Sequence, residues 1–113
     1  MTITITSESP EFKSWLEKTA AIAENYRRTN FPNLGPVTFT AEDGQKFIRV
    51  VRCDGQRSVH CFIAKVDSET KALGKVRAGD ILKPASWKAP SKHARGNILD
   101  ADQGETQMGP YGP

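Results

Sequence analysis

The chain has 113 residues, 37% of them hydrophobic and 26% charged, with a formal net charge of +3. This size and composition predict a single globular domain, residues 1–113, with a modest hydrophobic core. Because no stretch reaches the roughly 20 apolar residues of a membrane span and the N-terminus does not resemble a secretory signal, we expect a cytoplasmic protein.

The N-terminal part of the chain predicts one long helix. Residues 1–8 alternate Thr with Ile, which favours an edge strand or a loose leader. Ser9 is a suitable N-cap and Pro10 a suitable first helical residue, so a helix is expected over residues 9–29. Its apolar side chains recur at three- and four-residue spacing, as in an amphipathic helix: Phe12, Trp15, Leu16, Thr19, Ile22, Ala23 and Tyr26.

Two Asp-Gly pairs predict consecutive hairpins in the middle of the chain. Residues 43–44 and 54–55 are each typical of a two-residue hairpin turn. With such tight turns one sheet face collects Val37, Phe39, Ile48, Val50, Val59, Cys61 and Ile63. The other face collects Thr38, Thr40, Phe47, Arg49, Val51, Ser58, His60 and Phe62. The two turns agree on which face is apolar, so we expect the helix to pack on the first face.

The rest of the chain predicts one more strand and an irregular arm. A charged segment over residues 67–77, with a helical turn at 68–73, leads to a fourth strand at 80–85. Residues 86–113 contain few apolar side chains and are expected to form a basic arm and tail. The predicted fold is therefore α+β: a long N-terminal amphipathic helix on a four-stranded antiparallel β-meander (residues 36–85), with an extended irregular C-terminal arm.

The cysteines and histidines do not indicate a metal or catalytic site. Cys53 and Cys61 lie on adjacent predicted strands but on opposite faces, so both are expected to be free thiols. No Cys or His spacing matches a metal site, and the predicted register places no nucleophile or carboxylate beside His60 or His93. We therefore expect no metal, no cofactor and no catalytic residue.

The polar face of the predicted sheet is one candidate binding surface. Phe47 and Phe62 pair across the strands there, with Arg49 and His60 beside them. Exposed aromatic and cationic side chains on an antiparallel sheet bind single-stranded nucleic acid in many proteins. The alternative is that the C-terminal arm or the N-terminal segment covers this face and makes it a second core layer.

A basic segment near the C-terminus is the other candidate surface. Residues 46–95 contain twelve of the 16 Lys and Arg residues and have a net charge of +8. Pro84 and Pro90 enclose Trp87 in a stretch that cannot form a helix or a central strand. Trp87 would stack on a base, and the cations nearby would contact phosphate: Lys83, Lys88, Lys92 and Arg95. Alternatively, Trp87 is a buried anchor of the loop.

One tract has an unusual sequence: GDILKPASWKAPSKHARGNILD at residues 79–100, with SVHCFI at residues 58–63 before it and MGPYGP after it. This tract resembles a motif in small uncharacterised proteins encoded by tailed bacteriophages. The resemblance covers about half of the chain, from Lys46 onward. It implies a phage-encoded protein that works in the host cytoplasm, and it implies no activity and no catalytic residue.

The sequence leaves three functions open. The leading prediction is a non-enzymatic nucleic-acid-binding accessory protein with contacts from Phe47, Arg49, His60, Phe62, Lys83, Trp87, Lys88, Lys92 and Arg95. The first alternative is an interaction module that binds a host or phage protein through its basic arm, or self-associates through Thr2–Thr6 as an added strand. The second alternative is a small hydrolase or nuclease that depends on His60 or His93.

Overall fold

The computed structural model describes residues 4–71 and 73–99, with the backbone alone at residues 93 and 95. Within these ranges the chain forms one helix, α1 (Pro10–Asn30), and seven strands. The strands are β1 (Thr38–Asp43), β2 (Phe47–Cys53), β3 (Arg57–Ala64), β4 (Ser68–Thr70), β5 (Gly74–Val76), β6 (Asp80–Pro84) and β7 (Pro90–Asn97). Five of them form one antiparallel sheet in the order β1-β2-β3-β6-β7, and β4 pairs with β5 in a separate hairpin.

The predicted α+β class, with an N-terminal helix and an antiparallel sheet, is confirmed, but the predicted count of four strands is wrong. The charged segment forms the β4–β5 hairpin instead of a helical turn, with Gly74 at a φ of +70°. Part of the predicted irregular arm forms β7, the strand at one edge of the sheet. Pro90 has no backbone N–H to donate, and it is tolerated in β7 because an edge strand pairs with a neighbour on one side only. Residues 100–113 of the predicted tail lie outside the described residues.

Helix α1 lies within one residue of the predicted range at each end. Pro10 occupies the first turn, and the Ser9 carbonyl accepts a hydrogen bond from the Lys13 N–H at 3.0 Å. The Ser9 hydroxyl accepts from the Thr6 N–H at 2.9 Å and does not cap the helix. The buried face consists of Phe12, Trp15, Thr19 and Ala23. No helix among the described residues has an apolar stretch long enough to cross a membrane.

The main core lies between α1 and one face of the sheet, called here the inner face. Its buried members are Ile5, Phe12, Trp15, Ile48, Val50, Cys61, Ile63, Ala78, Ile81 and Ile98. Ile5 belongs to the segment predicted as a leader or edge strand. Its side chain is buried, and its N–H donates to the Lys65 carbonyl at 2.7 Å. Residues 4–9 are therefore anchored on their own chain without forming a strand, and residues 1–3 lie outside the described part.

Both predicted hairpin turns are longer than two residues. Asp43 pairs with Ile48 across a four-residue loop, and Cys53 pairs with Arg57 across a three-residue loop that contains Gly55 at a φ of +102°. The β2–β3 loop is one residue longer than predicted, and this shifts the start of β3 by one position, which exchanges its two faces. The first residues of β3 therefore face opposite to the prediction.

A β-bulge reverses this shift at His60. Val50 pairs with Cys61, but the next residue, Val51, pairs with Val59, so His60 has no partner in β2. Such an extra residue restores the alternation of faces beyond it. Cys61 is on the inner face as predicted, whereas His60 and Val59 exchange places: His60 lies inside against Phe39, and Val59 joins the outer cluster.

The opposite, outer face of the sheet is covered over part of its area. A second cluster buries Phe62, Ala64, Val76 and Leu82, with Phe47, Val59 and Leu73 partly buried against them. Leu73 and Val76 come from the β4–β5 hairpin and the turn before β5. Among the described residues, this inserted hairpin provides the second layer over Phe62.

The turn that leads into β6 is fixed by a buried polar network. The Asn97 side-chain amide donates to the Ala78 carbonyl at 3.0 Å and to Asp80 Oδ1 at 2.9 Å. Gly79 lies between them at a φ of +89°, a conformation that favours glycine. The network holds the start of β6 against the end of β7, and so determines where the loop at the other end of these strands is presented.

Candidate functional site

Trp87 is presented by a short loop, Ala85–Ala89, between β6 and β7. The Ala89 carbonyl accepts hydrogen bonds from the N–H groups of Ala85 at 3.0 Å and Ser86 at 3.1 Å. The Ser86 hydroxyl accepts from the N–H groups of Lys88 at 3.3 Å and Ala89 at 3.2 Å. These bonds define a compact turn whose residues are all exposed, and Trp87 keeps 39% of its surface accessible.

Two arginines hold the indole ring against the outer face of the sheet. The guanidinium carbon of Arg49, from β2, lies 4.7 Å from the Trp87 ring centroid, and that of Arg57, from β3, lies 5.4 Å away. Arg49 Nη1 also donates to the Trp87 carbonyl oxygen at 3.2 Å. A cation at this distance is attracted by the ring quadrupole, so Trp87 has a defined position before any partner binds.

Glu42 positions the two arginines. It is the direct cross-strand neighbour of Arg49 and accepts a hydrogen bond from Arg49 Nε at 2.9 Å. Its other carboxylate oxygen lies 3.5 Å from Arg57 Nη2. The hydrogen bond from Arg49 and the charges of both arginines hold the pKa of Glu42 below its ordinary value, although partial desolvation opposes them.

These side chains, Glu42, Arg49, Arg57, Trp87 and Lys88, are called here the Trp87 cluster. Three cations against one carboxylate leave it with a net positive charge. A surface pocket of about 210 Å³ adjoins it, lined by Glu42, Asp43, Phe47, Arg49, Phe62, Lys88 and the β1–β2 loop at residues 44–46. An exposed aromatic ring with surrounding cations beside a pocket is chemically suited to bind a planar group attached to an anion.

Comparison with known proteins places the chain in a family. A family model matches residues 2–110. The chain belongs to the family of unknown function DUF7717. No curated protein and no solved structure matches the chain.

Phe47 and Phe62 pair across β2 and β3 as predicted, with ring centroids 6.4 Å apart and an edge-to-face geometry. The two rings differ in exposure. Phe62 is 3% exposed because the outer cluster covers it, whereas Phe47 is half-buried at the pocket wall. The prediction that Phe62 stacks on a base is therefore wrong, and Trp87 is the accessible aromatic ring at this surface.

His60 does not lie beside Arg49, contrary to the predicted register. The β-bulge turns it to the inner face, where it is 3% exposed and contacts the Phe39 ring edge-to-face at 4.9 Å. Neither ring nitrogen has a hydrogen-bond partner. Desolvation, together with the positive charge of the nearby Arg52, lowers the pKa of His60 from 6.5 to about 4. His60 is a neutral core residue at physiological pH and not part of the surface.

The predicted basic segment divides between two sides of the sheet. Lys83 is exposed but alternates with Leu82, so it lies on the inner side with Ile81, away from Trp87. Lys92 is exposed at the outer side, where it lines a second pocket of about 270 Å³ beside the β4–β5 hairpin. The side chain of Arg95, like that of His93, lies outside the described part.

Arg57 and Glu42 belong to the site but were not predicted. A signal for Glu42 was present, because opposite charges often pair directly across antiparallel strands. The assumed two-residue turn at residues 43–44 placed Glu42 next to the turn, whereas the longer loop places it opposite Arg49. No sequence signal indicated Arg57, since its contact with Trp87 joins residues thirty positions apart in the chain.

Both cysteines are free thiols on opposite faces of the sheet. Cys61 is fully buried in the main core, and burial raises the pKa of its thiol. Cys53 is half-buried near the β2–β3 loop. Within residues 4–71 and 73–99, no three His, Cys, Asp or Glu side chains come together as metal ligands would.

Proposed function

We propose that the protein is a non-enzymatic accessory protein that binds single-stranded nucleic acid on the Trp87 cluster. The observation that supports this most directly is the accessible indole ring of Trp87, positioned by Arg49 and Arg57 on the outer side of the sheet. The resemblance to phage proteins adds to the proposal that the protein is phage-encoded and acts in the host cytoplasm.

Stacking of a base on Trp87 would supply part of the affinity. Such stacking contributes roughly 1–3 kcal/mol per base and requires no particular base. Because Arg49 and Arg57 already hold the ring, little side-chain freedom is lost on binding. Bases in a duplex are stacked on one another, so a single platform of this kind favours unpaired bases.

Phosphate contacts would come from cations that the cluster leaves accessible. Arg49 is engaged by Glu42 and by the Trp87 carbonyl, and its side chain is only 27% exposed. Arg57 is 56% exposed, and Lys88 is exposed in the same loop as Trp87. We therefore assign the phosphate contacts to Arg57 and Lys88, and we exclude Lys83 because it lies on the inner side.

Fluorescence titration with a single-stranded oligonucleotide tests the stacking contact. Trp15 is 1% exposed and thus shielded from ligand, so quenching in the wild type should come from Trp87 alone. The Trp87→Phe variant supplies the Trp15 signal as a blank and should show no quenching. Absence of both quenching and binding at low salt would exclude the proposed function.

The salt dependence of binding tests the phosphate contacts. Lys88→Ala should weaken binding and reduce the slope of log affinity against log salt by about 0.7, the value for one phosphate on a single strand. Lys83→Ala is the matched control, since it removes the same charge from the other side of the sheet. Equal effects of the two variants would show that only overall charge matters and that the Trp87 cluster is not the site.

A protein partner is the rival occupant of the same surface. Trp and Arg are the residue types most often found at the energetic centre of protein interfaces, and the Trp87 cluster combines them. Capture of a host protein that survives nuclease treatment and is lost in Trp87→Ala would favour this alternative. The hydrolase alternative now depends on His93 alone, because His60 is buried on the inner side.

A further inference from the structure

The two edges of the five-stranded sheet differ in how they are protected. β7 begins with Pro90, contains Lys92 and Gly96, and shifts its register twice against β6. Proline, lysine and bulges are the features that prevent an edge strand from pairing with another chain. β1 has no proline, lysine or bulge, carries charge only at its last two residues, Glu42 and Asp43, and pairs with β2 without a shift over six residues. Among the described residues no strand covers its other side.

An apolar groove runs along the same edge, between α1 and β1. Its volume is about 320 Å³, and Leu16, Ala20 and Phe39 line it, with Lys13 and Glu17 at the rim. The four helix residues recur at three- and four-residue spacing, so they form a stripe beside the buried face of α1. The open backbone groups of β1 and this groove together suit a partner that adds both a strand and an apolar side chain.

We propose that a second copy of the chain binds here and forms a two-fold symmetric dimer through antiparallel pairing of β1 with β1. Residues that face each other in an antiparallel pair of strands lie on the same face of the sheet. The register must therefore place inner-face residues of one copy opposite inner-face residues of the other. With the axis at Thr40, this threonine faces Thr40 of the second copy on the outer side. Phe39 then faces Ala41 of the second copy in the groove, and the two sheets become one of ten strands.

The charges at this edge favour a second copy over another partner. A two-fold axis brings Lys13 of one copy towards Glu17 of the other, so the rim of the groove is complementary to itself. Lys13 has a competing contact to Glu8 at 3.1 Å, but both side chains are largely exposed. In the proposed register Glu42 faces Thr38 of the second copy, so no like charges oppose each other across the strands.

The chain's own C-terminal residues are a less suitable occupant. The described chain ends at Leu99, directly after β7, and β7 is at the opposite edge of the sheet from β1. In the described part of the N-terminal segment, Ile5 is buried in the core and bonded to Lys65, which anchors residues 4–9 on their own chain. We therefore assign self-association to β1 in place of the predicted strand Thr2–Thr6, of which residues 2 and 3 lie outside the described part. It is independent of the proposed nucleic-acid binding, because the Trp87 cluster does not use the open side of β1.

Cysteine cross-linking tests the register. In a Cys53→Ser background, Thr40→Cys places two thiols opposite each other at the axis, within the separation that a disulfide spans. Thr38→Cys is the matched control on the same strand and face, and its two copies would lie about 13 Å apart. We expect an oxidised dimer from Thr40→Cys and not from Thr38→Cys. Equal cross-linking of both variants, or of neither, would overturn the proposed register.

Light scattering coupled to size exclusion tests the association itself. The wild type should show twice the monomer mass at high concentration. Thr40→Lys should raise the dissociation constant of the dimer by about tenfold or more, because it places two positive charges opposite each other at the two-fold axis. Thr29→Lys, on the exposed surface of α1, should leave it unchanged. Lys13→Glu should weaken the dimer, and adding Glu17→Lys should restore it. A wild-type protein that stays monomeric up to about 1 mM would overturn the proposal.

Discussion

Acidification is expected to destabilise the fold through His60. The neutral imidazole fits its apolar site on the inner face, but the imidazolium would be buried next to the Arg52 cation with no hydrogen-bond acceptor. The unfolded chain binds a proton at His60 below a pH of about 6.5, whereas the folded chain resists protonation until its pKa of about 4. Because the unfolded state binds more protons in this interval, stability falls as the pH falls.

The size of the effect follows from the difference between the two pKa values. Each pH unit in the interval costs about 1.4 kcal/mol of unfolding free energy. The loss is therefore about 2 kcal/mol at a pH of about 5, and it levels off at about 3 kcal/mol below a pH of about 4. The pKa values of Glu42, Asp43 and Asp54 are lowered by their partners, so these carboxylates stay ionised over most of the interval.

Urea unfolding at about pH 7 and about pH 5 measures the loss. His60→Phe keeps an aromatic ring against Phe39 but cannot titrate, so its stability should change much less between the two pH values. His93→Gln, which removes the other histidine, should retain the wild-type loss. If the wild type and His60→Phe lose the same stability, the assignment of the acid sensitivity to His60 is wrong.

Two further predictions concern the backbone and the thiols. Gly79→Ala should destabilise the fold by about 1–3 kcal/mol, because the φ of Gly79 is +89° and an added Cβ would lie 2.6 Å from Asn97 Oδ1. Gly35→Ala is the control: its added Cβ would have no atom within 4 Å, so the denaturation midpoint should stay nearly unchanged. A thiol reagent should modify Cys53 in the native protein but Cys61 only after unfolding, and equal rates would contradict the described burial.

Local patterns determined the helix and much of the main core in advance. The Ser9-Pro10 start and the apolar spacing after it depend on contacts within one helical turn, which sequence shows directly. The inner-face positions of Ile48, Val50 and Ile63 were also predictable. The face of Ile63 was predicted correctly although the β2–β3 loop is one residue longer than predicted. The longer loop shifts β3 by one residue and the bulge at His60 shifts it by one more, so the two shifts together restore the predicted faces beyond His60.

The candidate site was only partly predictable. Trp87 and Lys88 were identifiable from composition as part of a basic stretch between two prolines, but whether Trp87 is exposed or buried was left open until the structure showed it 39% exposed. Arg57 and Glu42 were missed because their contacts depend on the length of two loops, and an Asp-Gly pair is compatible with loops of two, three or four residues. His60 was assigned to the wrong face because the bulge was not predicted. Phe62 was assigned to an exposed surface because the hairpin that covers it was predicted as a helical turn.

The sequence by itself determined the elements whose signals are local: the amphipathic helix, the alternation of the central strands and the position of Trp87 between two prolines. Only the tertiary structure decided which side chains meet. Loop length, the bulge at His60 and the inserted β4–β5 hairpin set the register and cover part of the outer face. Loop length, the bulge and the hairpin all depend on packing contacts between residues far apart in the chain, and a pattern of neighbouring residues does not predict such contacts. The Trp87 cluster consequently joins residues from β1, β2, β3 and the β6–β7 loop.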